Sequence, residues 1–170
     1  MKKENRYAKS IELLNKSIND EMTAVHQYMY FHFHCDDQNY DLLSGLFRRT
    51  AIQEMMHVER LAERVLFLKG EVDMKMSGEV KKVTEVKPML EMASKMENTT
   101  IMDYNKYANE CAQNADSATK KIFEDLVVEE ENHCDQFDNE IENLNNFGDN
   151  YLVLQSMEHS KNIANGTPAE

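Results

Sequence analysis

Residues 50–61 read Thr50-Ala-Ile-Gln-Glu-Met-Met-His-Val-Glu-Arg-Leu61, and they lie inside a longer stripe of Leu43, Phe47, Thr50, Glu54, His57, Leu61, Val65 and Leu68. Steps of three and four mark one face of a helix, and a helix with such a face turns it toward a core. Two residues break the apolar seam, Glu54 and His57. Spaced three apart, they point the same way about one turn from each other, so both reach one ion while the helix stays regular.

The same device recurs at Glu130-Glu-Asn-His133, within the stripe Phe123, Leu126, Glu130, His133, Phe137, Ile141 and Leu144. Two further stripes each carry one acid: Tyr7, Ile11, Leu14, Ile18, Glu21, Val25, Tyr28, and Leu90, Ala93, Glu97, Ile101, Tyr104, Ala108, Cys111. Glu21 and Glu54 are 33 residues apart, as are Glu97 and Glu130, so the two halves of the chain echo each other. No other histidine has a glutamate three residues before it.

Breaks at 36–39 and 114–117 separate the stripes within each half, and residues 71–87 show no helical period before Pro88, which suits the first turn of a helix. Gly70 is placed to cap the second helix. Five Gly and two Pro leave few sites for turns in 170 residues. The pattern predicts an all-α protein: a four-helix bundle of helices near 28–32 residues, about 45 Å long at ~1.5 Å per residue. Short joints make neighbours antiparallel, and a crossover at 71–87 as long as the bundle makes helices two and three parallel. Tyr151-Leu152-Val153-Leu154 predicts a short C-terminal helix, and residues 160–170 a flexible tail. One domain spans 1–170.

Charge narrows the function classes. Lys and Arg number 19 against 31 Asp and Glu, a net charge of −12. That balance opposes phosphate binding and suits cations; Lys2, Lys3 and Arg6, interrupted by Glu4, do not make a DNA-binding tail. No signal peptide and no run of roughly 20 apolar residues is present, so a soluble, cytoplasmic protein is expected, without a membrane partner. Cys35, Cys111 and Cys134 are odd in number and irregular in spacing, as expected of reduced thiols.

Four inward carboxylates cannot share a core uncompensated, because repulsion and desolvation each oppose it. Two divalent cations balance four carboxylates and leave His57 and His133 as neutral nitrogen ligands. Carboxylate with imidazole suits iron or manganese, and one Glu from each of two helices with Glu-x-x-His from the other two is the pattern of di-iron bundles. Zinc takes fewer carboxylates. A single seam glutamate is ordinarily a boundary residue that reaches outward; the repeated set of six does not fit that description.

The segments Glu21-Met-Thr-Ala-Val-His-Gln-Tyr28, Glu54-Met-Met-His57 and Ala62-Glu-Arg-Val-Leu-Phe-Leu-Lys-Gly70 resemble bacterioferritin, and the similarity continues through Glu97, Glu130-Glu-Asn-His133 and Tyr151-Leu152. It covers nearly the whole chain. The resemblance implies a ferritin-like fold and a ferroxidase and iron-storage cage with two irons per subunit. Glu54 and Glu130 would bridge the irons, Glu21 with His57 and Glu97 with His133 would complete them, and Tyr28 would lie beside the site. It also places Met55 where the family supplies a haem axial ligand across a dimer interface, although in a chain with 12 Met an interface methionine is the commoner reading.

Two features depart from the best-known bacterioferritins. Arg49 and Gln53 stand where those carry a histidine and an acid at an inner-surface iron site. Cys134 follows His133, which resembles the Dps-like, or thioferritin, branch; that likeness implies a dodecamer in preference to a 24-mer, peroxide as oxidant, protection from oxidative stress and a redox thiol at Cys134. Cys35 and Cys111 each lie 14 residues past their seam glutamate, about 21 Å along an ideal helix, too far to pair with Cys134. His26, His32 and His34 are ordinary helix residues or an entry cluster for metal. Two rival readings use the same residues differently: a di-iron or di-manganese peroxidase of rubrerythrin type without mineral, and a non-enzymatic helical interaction protein with solvated acids.

Overall fold

Five helices make up the regular structure of residues 5–166, the part of the chain that the computed structural model describes: α1 (Ala8–Asp37), α2 (Asp41–Phe67), α3 (Val86–Gln113), α4 (Ser117–Phe147) and α5 (Asp149–Ala164). There is no strand among the described residues. Lys2 and Lys3 lie outside them, as does the end of the expected tail from 167 onward. The four long helices run 30, 27, 28 and 31 residues.

Residues 160–164 of the expected tail are helical. Helix α5 runs to Ala164, and upstream of the expected tail His159 Nδ1 meets Asp41 Oδ1 at 2.6 Å and the Tyr151 hydroxyl donates to Glu140.

Topology follows from who meets whom. The α1–α2 joint is three residues long, with Asn39 in the left-handed region at φ 63°, so α2 returns along α1. The chain then passes from the Leu68–Gly70 end back to the Gln38 end. Four polar side chains of α1 at intervals of four hold this crossover: Asn15 bonds Glu71 O and Asp73 N, Asn19 bonds Lys75 N, Thr23 bonds Ser77 N, and Gln27 bonds both N and O of Lys81. Gln38 ends the series on Thr84 O. The polar face of α1 thus serves as a template for an extended segment, and α3 starts beside the end of α1, with Met89 Sδ 3.7 Å from Cys35 Sγ. Helices α2 and α3 are therefore parallel.

Asp116 caps α4, accepting from Thr119 N at 3.1 Å, and Arg64 of α2 reaches the same carboxylate at 2.8 Å. That ion pair is largely buried and joins the two halves at one end. Gly70 takes part in the cap of α2, its N–H bonding Val65 O at 2.9 Å. Lys69 takes the left-handed conformation, at φ 62°, and Gly70 follows it where a Cβ would come within 2.7 Å of Ile11 Cγ2.

The core is split in two. One cluster holds Leu14, Ile18, Leu61, Val65, Tyr104, Phe123 and Leu126; the other holds Tyr28, Phe31, Leu43, Phe47, Leu90, Ala93 and Phe137. A polar layer at mid-bundle separates them, with apolar packing above and below it. Phe47 is fully buried, with its ring centroid 5.2 Å from that of Phe31 and 5.5 Å from that of Phe137. Phe47→Ala should lower stability by roughly 3–5 kcal/mol, the usual range for removing a buried phenylalanine; chemical denaturation of the metal-free protein measures it, and a loss under about 1 kcal/mol would contradict this account of the core.

Candidate metal centre

The middle layer gathers Glu21 from α1, Glu54 and His57 from α2, Glu97 from α3, and Glu130 and His133 from α4, every one at most 3% exposed. Their ligand atoms form two groups, Glu21, Glu54, His57, Glu130 and Glu54, Glu97, Glu130, His133, each within 4.8 Å throughout. Glu54 and Glu130 belong to both. His57 Nδ1 lies 2.8 Å from Glu54 Oε2, 2.9 Å from Glu130 Oε1 and 3.6 Å from Glu21 Oε1. His133 Nδ1 lies 3.0 Å from Glu54 Oε1, 3.2 Å from Glu130 Oε2 and 4.0 Å from Glu97 Oε2. The two imidazoles stack at 5.7 Å.

Only one of these approaches, His133 Nδ1 to Glu130 Oε2, is an aligned hydrogen bond. Both oxygens of Glu54, one of Glu130 and Nδ1 of His57 are buried without an aligned partner. Unpartnered buried polar atoms cost of the order of 1–3 kcal/mol each, more when charged. Converging carboxylate oxygens and imidazole nitrogens, several of them unpartnered, are what a pair of divalent cations satisfies, and the donor set suits iron or manganese.

The electrostatics point the same way. Burial, with repulsion from Glu130 and Glu54, pushes the Glu21 carboxyl well above its ordinary range, and burial with repulsion from the same two acids does so for Glu97. Burial opposes charge on the histidines, yet nearby Glu130, Glu21 and Glu54 outweigh it and raise His57, while Glu130 and Glu54 push His133 up to about 9. For Glu130, burial is outweighed by the two histidines, which hold its carboxyl down to about 2. Without metal, protons hold this layer together.

Two tyrosines cross the centre. Tyr28 of α1 donates to Glu97 of α3, and Tyr104 of α3 donates to Glu21 of α1. Each comes from a different core cluster, so packing above and below sets the position of both outer carboxylates. Tyr104 is a site residue that the sequence reading passed over. Its signal was present: Glu21, Tyr28, Glu54 and His57 recur 76 residues later as Glu97, Tyr104, Glu130 and His133. A cavity of about 340 Å³ between α1 and α3 reaches Glu21, Tyr28, Glu97 and Tyr104, with Asp20 and Asp103 also in its wall.

Other candidates stand apart. Cys134 shares neither group; its sulfur accepts from Asn98 Nδ2 at 3.0 Å and lies 3.7 Å from Asp138 Oδ2, and burial raises its thiol. Met55 is 54% exposed on the outward side of α2, with Met56 and Ile52 also exposed. His26 bonds Met22 O, His32 bonds Ser44, and His34 lies against Tyr30, so those three histidines make no metal group. Gln53 accepts from His133 Nε2 at 3.1 Å.

Residues 11–147 match the family model described as a ferritin-like domain. The chain is 36% identical to a bacterioferritin of Desulfovibrio desulfuricans over 89% of its own length and 84% of that protein's, and 30% identical to one of Rhodobacter capsulatus over 86% and 91%. An X-ray structure of the D. desulfuricans bacterioferritin, which describes its diiron site in different catalytic states, superposes with a TM-score of 0.87 at 35% identity, covering 89% of this chain and 88% of that one. The chain belongs to the bacterioferritin family of ferritin-like proteins. Among the described residues no helix is long and apolar enough to cross a membrane.

Proposed function

We propose that this protein is a cytoplasmic ferroxidase subunit that oxidises Fe²⁺ and stores the ferric product in a closed homo-oligomeric cage. The observation that carries the reading is the pair of four-residue groups sharing Glu54 and Glu130. Glu21, Glu54, His57, Glu97, Glu130 and His133 hold two Fe²⁺ per chain as substrate, the shared acids bridging. Two ferrous ions held together can surrender two electrons in one event, reducing peroxide to water where a lone ion would release hydroxyl radical; dioxygen is the other acceptor. Tyr28 and Tyr104 orient the outer carboxylates, and the acidic wall at Asp20 and Asp103 favours cation entry. Protection against oxidative stress follows from that chemistry.

Anaerobic Fe²⁺ titration should show two tight equivalents per chain, followed on adding peroxide or air by rapid oxidation and, with excess iron, by several hundred ions retained per assembly. Tight binding and turnover without retained iron would select the rubrerythrin-like peroxidase instead. Binding of neither Fe²⁺ nor Mn²⁺ would leave the helical interaction protein.

Cys134 beside His133 favours a cage of 12 copies over the alternative of 24. From a chain of 19.8 kDa these weigh about 240 and about 475 kDa, which light scattering separates. Met55 is assigned to the interface between copies; a Soret band in the purified protein that Met55→Ala abolishes would make it a haem ligand instead. A redox thiol at Cys134 should show as slowed peroxide-driven oxidation in Cys134→Ser. Its hydrogen bonds and raised thiol predict less than about a two-fold change, since thiol reactivity follows thiolate content.

A further inference from the structure

The 76-residue repeat extends one layer outward and fails there. Residue 53 corresponds to residue 129, and these two receive the outer ring nitrogens of the histidines: His57 Nε2 meets Glu129 Oε2 at 2.9 Å, and His133 Nε2 meets Gln53 Oε1 at 3.1 Å. One partner is a carboxylate and the other an amide. The supports differ as well. Arg60 of α2 clamps Glu129, whereas the residue 76 positions later, Gln136, bonds Asn132 O on its own helix.

The chemistry of the two partners differs in kind. When Nδ1 serves as a metal ligand, the proton that remains on each imidazole is on Nε2. A carboxylate only accepts, so Glu129 enforces that tautomer and makes the ring a more basic ligand; an amide can turn and offer its NH₂, so Gln53 permits the tautomer without enforcing it. Arg60 fixes the direction of Glu129 and hence of the His57 ring.

We propose that the two metal positions are unequal, the one at Glu21 and His57 filling first and emptying last, and the one at Glu97 and His133 being the exchangeable position. This rests on the metal-centre reading given above and adds to it an order of filling set by Glu129 against Gln53. Partners of this kind change metal affinity by roughly 10–100-fold.

Anaerobic Co²⁺ titration of the metal-free assembly, followed by ligand-field absorption, tests it with isosteric variants. Repulsion between two cations separates the binding steps even at equal positions, so the pattern among variants decides. Glu129→Gln should weaken the first step by roughly 10–100-fold and leave the second nearly unchanged; Gln53→Glu should tighten the second by a similar factor and leave the first. Crystals holding one Co²⁺ per chain should show its anomalous peak beside His57. Were the positions equal, Glu129→Gln would weaken the second step and Gln53→Glu would tighten the first, and that result, or no change in either variant, overturns the proposal while the metal centre stands. Absence of any Co²⁺ binding overturns the metal centre and the proposal together.

Discussion

Glu130→Gln is expected to slow Fe²⁺ oxidation by at least ~100-fold and to remove the tight second equivalent in anaerobic titration. Glu130 faces both imidazoles, at 2.9 Å from His57 and 3.2 Å from His133, and it belongs to both ligand groups. Removing one member of a buried charge cluster commonly costs roughly 3–5 kcal/mol, because its partners remain buried and uncompensated. Here the loss falls on both metals at once, whereas Glu21→Gln or Glu97→Gln touches one. Stopped-flow oxidation with peroxide and with dioxygen measures it. A rate within three-fold of the parent would remove Glu130, and with it the shared-carboxylate arrangement, from the mechanism.

Metal uptake should release two to four protons per chain, and affinity should rise steeply with pH. The sign follows from the groups. His57 and His133 are raised above the ordinary imidazole value, so at neutral pH both carry a proton that a metal must displace. Glu21 and Glu97 are raised by burial and repulsion, and each contributes up to one more. Binding that expels protons strengthens as pH rises, by up to tenfold per unit for each proton released, and the rise slackens above about 9, where His133 is already neutral. Zn²⁺ or Co²⁺ added to weakly buffered anaerobic protein, with a pH indicator, counts the protons. An affinity flat between pH 6 and 8 would show that the metal-free layer is not held by protons.

Why some features were legible and others not is a question of range. Glu54-x-x-His57 and Glu130-x-x-His133 are local: two side chains one turn apart share a face whatever surrounds them, so spacing sufficed. Cys134 is one position from His133, and its neighbours Ser94 and Asn98 belong to a different helix, which no spacing on α4 reveals. Tyr104 carried a repeat signal but no chemical one, since a tyrosine on a seam is ordinary until a carboxylate from another helix meets it. The crossover at 71–87 lacked a period because its order comes from Asn15, Asn19, Thr23 and Gln27 on α1, so its hydrogen bonds are written in a different stretch of chain.

What the sequence determined by itself is what periodicity and composition dictate: four long helices, one long connection, acids and histidines on the inner faces, and a demand for cations to balance them. The tertiary structure decided the rest. It crossed the tyrosines, so that each helix of the α1–α3 pair secures the other's carboxylate. It also set Glu129 and Gln53 behind the two histidines, turning a repeat into an unequal pair. The physical reason is that a helical period fixes which way a side chain points, whereas what it meets there depends on the register of a partner helix as many as 83 residues away, and packing of the two core clusters sets that register.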